Sequence, residues 1–413
     1  MSFLSSEDET RSSTLFEDRN DQTEPEEPTE PAVKIDTAIA EYHATKADVA
    51  KLSKANNDTE AAVDAQFDLQ DFLEGGVRKE KQAGLKRQRL GVTWRDLTVV
   101  GEGADASSIA TIVSPFEALG RALNPANWLS KASKGTDFNI ISKATGYCRE
   151  GEMLLVLGRP GSGCSTFLRV LANMRDSYKE VQGDVSYGGI APADFKQYSG
   201  QVIYTAEEDV HFPTLTVEQT LSFSLRTKTP GARVAEEAHK RSFRERVAYM
   251  LVNMLGLVKQ VQTLVGNEFI RGLSGGERKR MTIAEAMTAH SAIYCWDCTT
   301  RGLDSASALD YTKSLRILGD TLNKTSIATF YQASEDMYKE FDNVMVLDKG
   351  RTIFFGPVAR AKQYFIELGF DCEPRKSTPD YLTGVTNPQE RKIRPGFEGK
   401  VPATASQLEA AWL

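Results

Sequence analysis

The apolar positions change rhythm several times along the chain, and each change predicts an element. Met153-Leu154-Leu155-Val156-Leu157 is an unbroken apolar run of strand length, as expected for a strand buried on both faces. Just after it, Phe167, Leu168 and Leu171 stand at helical spacing within Ser165–Asn173. Val92 to Val100 alternates apolar and polar, the mark of a half-buried strand, so folded structure is expected to begin near Leu90. Weak patterning over 101–136 predicts a long insertion, followed by a strand near Phe138–Ile141 and another at Gly183–Gly189. From Thr216 to about Leu264 the pattern is helical, which predicts the core of a helical subdomain. Strand signals return at Ala292–Trp296, Ser326–Phe330 and Val344–Leu347. Val344 to Gly356 reads as two strands turning at Asp348-Lys349-Gly350. Strands alternating with helices in this way predict an α/β core with a mostly parallel sheet.

The ends read differently. Residues 1–35 are acidic, contain Pro and Thr and are poor in large apolar residues, so a disordered tail is expected there. Residues 36–89 read as a helical and basic linker, with a helix over 36–53 and a Lys/Arg-rich stretch from Arg78 to Arg89. Residues 386–413 read as a linker too. No apolar run approaches the about 20 residues that a membrane-crossing helix needs. A net charge of −7 gives no support for a nucleic-acid-coating surface. Five cysteines, an odd number, form no disulfide framework. Cys295-x-x-Cys298 lacks the second Cys or His pair that zinc would need, and a cytosolic setting fits. His43, His211, His239 and His290 are read as surface or loop histidines.

Gly158-Arg159-Pro160-Gly161-Ser162-Gly163-Cys164-Ser165-Thr166 fits the phosphate-binding pattern GxxxxGK[ST] except that Cys164 stands for lysine. Backbone N–H groups at a glycine-rich turn and a helix N-terminus can hold an anion without side-chain charge. Four further elements follow in order. Leu273-Ser274-Gly275-Gly276-Glu277 opens a helix, followed by Arg278-Lys279-Arg280. Ile293 to Asp297 is an apolar strand ending in a carboxylate suited to Mg²⁺ beside a triphosphate. Gly302-Leu303-Asp304 precedes a helix, and Tyr331-Gln332 closes a strand at the end where α/β folds place ligand contacts.

This order and spacing resembles the ATP-binding-cassette (ABC) domain over residues 90–385. The resemblance implies a P-loop fold with a RecA-like parallel core, an antiparallel β subdomain and a helical signature subdomain. It implies ATP and Mg²⁺ as ligands, with Ser165 and Asp297 on the metal. Gly158, Arg159, Gly161, Ser162, Gly163, Cys164, Ser165 and Thr166 would form the Walker A loop. Glu207 would stand at the Q-loop, Asp304 in the D-loop, Tyr331 at the switch-histidine position and Trp94 against the adenine. Ser274, Gly275, Gly276 and Glu277 would be the signature, which in this family covers nucleotide bound to a partner cassette.

The departures cluster at the chemistry. Cys164 replaces the lysine, Cys298 the glutamate that polarises water, Glu207 the glutamine and Tyr331 the histidine. Together with the intact signature and its ERKR run, they are similar to the first cassette of fungal pleiotropic-drug-resistance (ABCG-like) transporters. That resemblance implies a cassette of an ATP-driven exporter of drugs or lipids at the cytoplasmic face of a membrane, the plasma membrane being the expected one. Its partner would be a second cassette, and its transmembrane domains would lie outside this chain. A soluble regulatory ABC module and an autonomous P-loop enzyme such as a kinase are the competing readings; the signature has no role in the latter.

Overall fold

The computed structural model describes residues 67–85, 87–102, 137–234 and 239–413. The expected acidic tail, the helix over 36–53 with His43 and nearly all of the 101–136 insertion lie outside the described residues.

The first described helix, α1 (Leu69–Gln82), begins at Asp68, whose carboxylate accepts from Gln70 N (2.8 Å) and Asp71 N (3.1 Å). Leu69 and Leu73, one helical turn apart, are buried in the main core, and Phe67 and Phe72 ring Tyr249. Folded structure therefore starts about twenty residues before the expected Leu90, because an i, i+4 apolar pair hides among charges.

Three antiparallel strands make one wing: β1 (Val92–Glu102), β2 (Asp137–Cys148) and, later in the chain, β4 (Glu180–Tyr187). Between them come β3 (Met153–Leu157), buried at every position, and α2 (Cys164–Leu171). After the short α3 (Pro192–Phe195) and β5 (Val202–Thr205), the helical region holds α4 (Val217–Lys228), α5 (Lys240–Met254) and α6 (Gly275–Met287). The core resumes with β6 (Ile293–Asp297), α7 (Ser305–Leu322), β7 (Thr325–Thr329), α8 (Glu335–Lys339), β8 (Asn343–Asp348) and β9 (Arg351–Pro357).

One nine-stranded sheet runs β4-β1-β2-β9-β8-β3-β7-β6-β5. Strands β8, β3, β7, β6 and β5 pair in parallel, with helices covering them, and so β3 and β6 can be apolar throughout. The parallel arrangement brings the C-terminal ends of β3, β5, β6 and β7 to one edge, where the P-loop, Asp297 and Tyr331 all lie. The fold is of the α/β class expected from the sequence, a parallel core with an antiparallel wing and a helical region.

The chain ends with α9 (Val358–Glu367), β10 (Phe370–Asp371), α10 (Thr378–Val385), β11 (Lys392–Ile393) and α11 (Ala405–Trp412). Residues 386–413 are docked, which differs from the linker expected there. Trp412 packs on Phe354 (4.9 Å between ring centroids) and Tyr364 (5.4 Å), and Arg351 pairs with Glu409. No described helix is long and apolar enough to cross a membrane.

Candidate functional site

The P-loop owes its shape to its glycines. Gly163 has φ +95°, and a Cβ placed there would stand 2.7 Å from Ile141 Cδ1. A Cβ at Gly158 would meet the Leu347 carbonyl oxygen at 2.8 Å and Cys164 Sγ at 3.0 Å. The loop thus lies against β2 and β8 on one side and delivers its backbone to the N-terminus of α2, where Cys164 is the first residue. Burial, followed by the neighbouring Cys298 and Asp297, pushes the Cys164 thiol up to about 12. It is neutral at physiological pH and supplies no charge to a phosphate.

Asp297 is the best-positioned polar group of the site. Its carboxylate is buried; Oδ1 accepts from Ser165 Oγ (3.1 Å) and Thr329 Oγ1 (2.8 Å), and Oδ2 from Tyr204 OH (2.7 Å). Ser165 and Asp297 are adjacent hard-oxygen donors, the set that suits Mg²⁺ when phosphate oxygens complete the shell. No cluster of three His, Cys, Asp or Glu exists among the described residues, so Mg²⁺ would depend on a bound triphosphate. Ser165 and Asp297 fit that cation, whose role when bound would be to offset charge on the phosphates.

Cys298 follows Asp297 directly, in a left-handed backbone conformation with φ +47°. Its N–H donates to Thr329 O (3.1 Å) and Oγ1 (2.9 Å), so Thr329 clamps both Asp297 and Cys298. Burial raises the Cys298 thiol, making it a neutral group where a carboxylate base would be needed. Tyr331 is 57% exposed and shares a cleft of about 1170 Å³ with Gly158, Arg159 and Pro160. Arg159 pairs with the buried Asp348 (3.5 Å), which Arg391 approaches to 3.9 Å. Glu207 pairs with Arg301, and its backbone carbonyl accepts from Lys279 Nζ (2.5 Å). Asp304 caps α7, its carboxylate accepting from Ser307 N (3.1 Å); hydrogen bonding from the Ser307 side chain, then from its backbone, holds the carboxyl below the ordinary value.

The signature forms a complete capping box at the start of α6. Ser274 Oγ accepts from Glu277 N (3.3 Å) while Glu277 Oε2 accepts from Ser274 N (2.8 Å). Gln260 Nε2 holds the other Glu277 oxygen (2.9 Å). A Cβ at Gly276 would come within 3.2 Å of the Gly302 carbonyl, so the signature sits close against the loop bearing Asp304. Ser274 and Gly275 are exposed, with free space above Gly275. The packing and bonding partners of the signature among the described residues include no P-loop residue.

One expectation about the site fails. Trp94 is only 1% exposed, wedged between Phe167 (5.2 Å) and Phe355 (5.9 Å), and offers no face to a base. It is a core residue joining the β1–β2 wing to the P-loop helix. An aromatic that does face solvent on β2, the strand against which the loop lies, is Phe138, 51% exposed. Phe138 and Ile140 both lie over Gly101, and the Ile140 carbonyl would be 3.1 Å from a Cβ at Gly163. His211 lies in a loop, one of the two placements expected of it, but its ring is buried, with Nε2 2.8 Å from Thr282 Oγ1 and Nδ1 3.2 Å from Glu285. Tyr204 and Thr329 have no motif around them; the one available cue was for Thr329, which lies near the end of the strand predicted at Ser326–Phe330, whereas no strand was predicted around Tyr204.

A family model described as "ABC transporter" matches residues 141–301, and one described as "ABC-transporter N-terminal" matches 5–115. A third, "ABC-2 type transporter", matches 331–396, so the expectation that the chain holds nothing of a membrane component is met only in part. ABC transporter G family member 17 of Dictyostelium discoideum is 58% identical over 84% of this chain and 23% of its own length. Member 11 from the same organism is 54% identical over 92% of this chain and 27% of its own length. ABC multidrug transporter I of Aspergillus fumigatus is 45% identical over 86% of this chain and 24% of its own length. The chain therefore spans about a quarter of the length of the curated relatives it matches. With a P-loop, a Walker aspartate and a signature in one α/β cassette, and relatives of this identity, the chain belongs to the ABC transporter G family and carries the ATP-binding cassette of a transporter.

Proposed function

We propose that this cassette binds ATP with Mg²⁺ at its own Walker motifs, scarcely hydrolyses it, and completes a partner cassette's site with its signature. The observation that carries the reading is the contrast within one fold. Asp297 is held by three hydroxyls in the Mg²⁺ position, yet the two flanking chemical positions, Cys164 and Cys298, are neutral thiols. Loss of a positioned base costs about 10²–10⁴ in rate, and loss of a donor aimed at developing charge costs about 10²–10³. Nothing comparable is missing at Ser274–Glu277. The second cassette, the membrane segments and an exported amphipathic drug or lipid would then be supplied by the rest of a transporter at the cytoplasmic face of a membrane, by analogy with the multidrug relative.

Two substitutions test this reading. Cys164→Lys alone changes ATP turnover less than about threefold, because the base position still holds a thiol; steady-state phosphate release checks it, and a large gain would place the limiting defect at Cys164. Phe138→Ala weakens ATP binding by about tenfold, as expected when an aromatic worth about 1–3 kcal/mol per stacked base is removed. Fluorescent-nucleotide titration checks this; unchanged affinity would remove Phe138 from the adenine.

A further inference from the structure

Strands β6 and β7 end at Asp297 and Thr329 of the nucleotide site, and a second cavity lies at their beginnings. It measures about 250 Å³, and its lining includes residues just before three parallel strands: Gln201 directly before β5, Lys324 directly before β7 and His290 three residues before the start of β6. Arg87, from the segment after α1, and Phe243 of α5 complete its wall.

The charged lining is mainly cationic. Arg233 is engaged with partners of its own; Arg87 and Lys324 face one carboxylate among the described lining residues, Glu80, which pairs with Arg87. Two nitrogens here are shut off from solvent without a hydrogen-bond partner, Arg87 Nη1 and His290 Nε2. Native interiors rarely leave such groups unmade. Lys324 Nζ donates to the carbonyls of His290 (3.1 Å) and Ser291 (2.7 Å), which use two of its three N–H groups and add no negative charge. The His290 ring is fixed against Phe243, 5.4 Å between centroids, on a left-handed backbone with φ +51°. Burial, then nearby cations, pushes His290 down to about 4 and Lys324 down to about 8. An anion would offer an acceptor to both unpartnered nitrogens and to the third Lys324 N–H, and would offset the positive charge of the lining.

We propose that this cavity binds a phosphate monoester group, with Arg87 Nη1, His290 Nε2 and Lys324 Nζ as its donors. The volume is below that of ordinary small-molecule pockets, about 300–1,000 Å³, and suits one tetrahedral oxyanion on a short stem. Charge-assisted bonds from arginine and lysine are the strong ones for such a group. The site stands apart from the P-loop and does not depend on how that loop handles ATP.

The chain has four histidines, so imidazole NMR of the histidine-labelled 413-residue protein reads His290 directly once His290→Gln assigns it. Inorganic phosphate, O-phosphoserine and sn-glycerol 3-phosphate are titrated separately. At least one is expected to shift the His290 signal saturably and to raise its pKa, and phosphate held only in the P-loop would not. Lys324→Gln and Arg87→Gln should each weaken that response about tenfold. Equal binding of all three identifies free phosphate as sufficient, preference for phosphoserine identifies a modified side chain, and preference for the glycerol ester identifies a lipid headgroup. A silent His290 with all three probes overturns the proposal. So does a response that survives either substitution in protein melting like the wild type.

Discussion

In a transporter containing both cassettes, Ser274→Arg lowers ATP turnover by about 100-fold or more, the scale of losing donors aimed at developing charge. Ser274 is the exposed N-cap of α6, and its hydroxyl and the N–H groups behind it form the positive end of that helix. Arginine removes the cap, projects a long cation across the exposed approach to Gly275, and occupies space that a partner's nucleotide would need. The cap itself is worth about 0.5–2 kcal/mol, too little to unfold a domain of this size. Stability and catalysis should therefore separate: a small drop in melting temperature, with nearly all turnover gone. Ser274→Ala provides the comparison, since it loses the same cap without filling the space. If the arginine and alanine variants were equally active, the signature would not be covering a nucleotide.

Trp94→Ala should destabilise the chain by about 3–5 kcal/mol, the cost of emptying a large aromatic site in a packed core. Trp94 fills the junction of three elements: Phe167 on α2 and Phe355 on β9 meet it edge-on, and a Cβ at Gly146 would stand 2.7 Å from its ring. Because Phe167 belongs to the P-loop helix, the cavity would also loosen the scaffold that presents Ser165. Its indole Nε1 has no hydrogen-bond partner, so Trp94→Phe should cost much less than alanine. Chemical denaturation of the variants reads the difference. A Trp94→Ala protein of unchanged stability but lost ATP binding would return Trp94 to the adenine.

The parts of the site that were legible in the sequence are those whose residues are neighbours along the chain. The P-loop, the signature box and the strand ending at Asp297 each declare themselves in a few consecutive positions. Trp94 was misread because alternation along β1 gives two faces and does not say which one α2 covers. Tyr204 is 93 residues from the aspartate it holds, and Thr329 is 32 away. They meet because β6 lies between β5 and β7, and strand order is a property of the whole sheet. Helix α1 was hidden by its Lys, Arg and Glu residues and by Gly75-Gly76, although Leu69 and Leu73 carry its docking face. The closing helix α11 was similarly obscured, since what orders it is the distant aromatic pair Phe354 and Tyr364 around Trp412.

The central claim, that this Walker site holds ATP without turning it over, is tested most directly by quenched-flow measurement of phosphate release from ATP bound to the purified 413-residue chain. Three proteins are compared: wild type, Asp297→Asn, and the double variant Cys164→Lys/Cys298→Glu, which restores a charge and a base. The account predicts bound ATP that stays intact in the wild type, release no faster than with Asp297→Asn, and measurable release from the double variant. Wild-type release well above that of Asp297→Asn would contradict it.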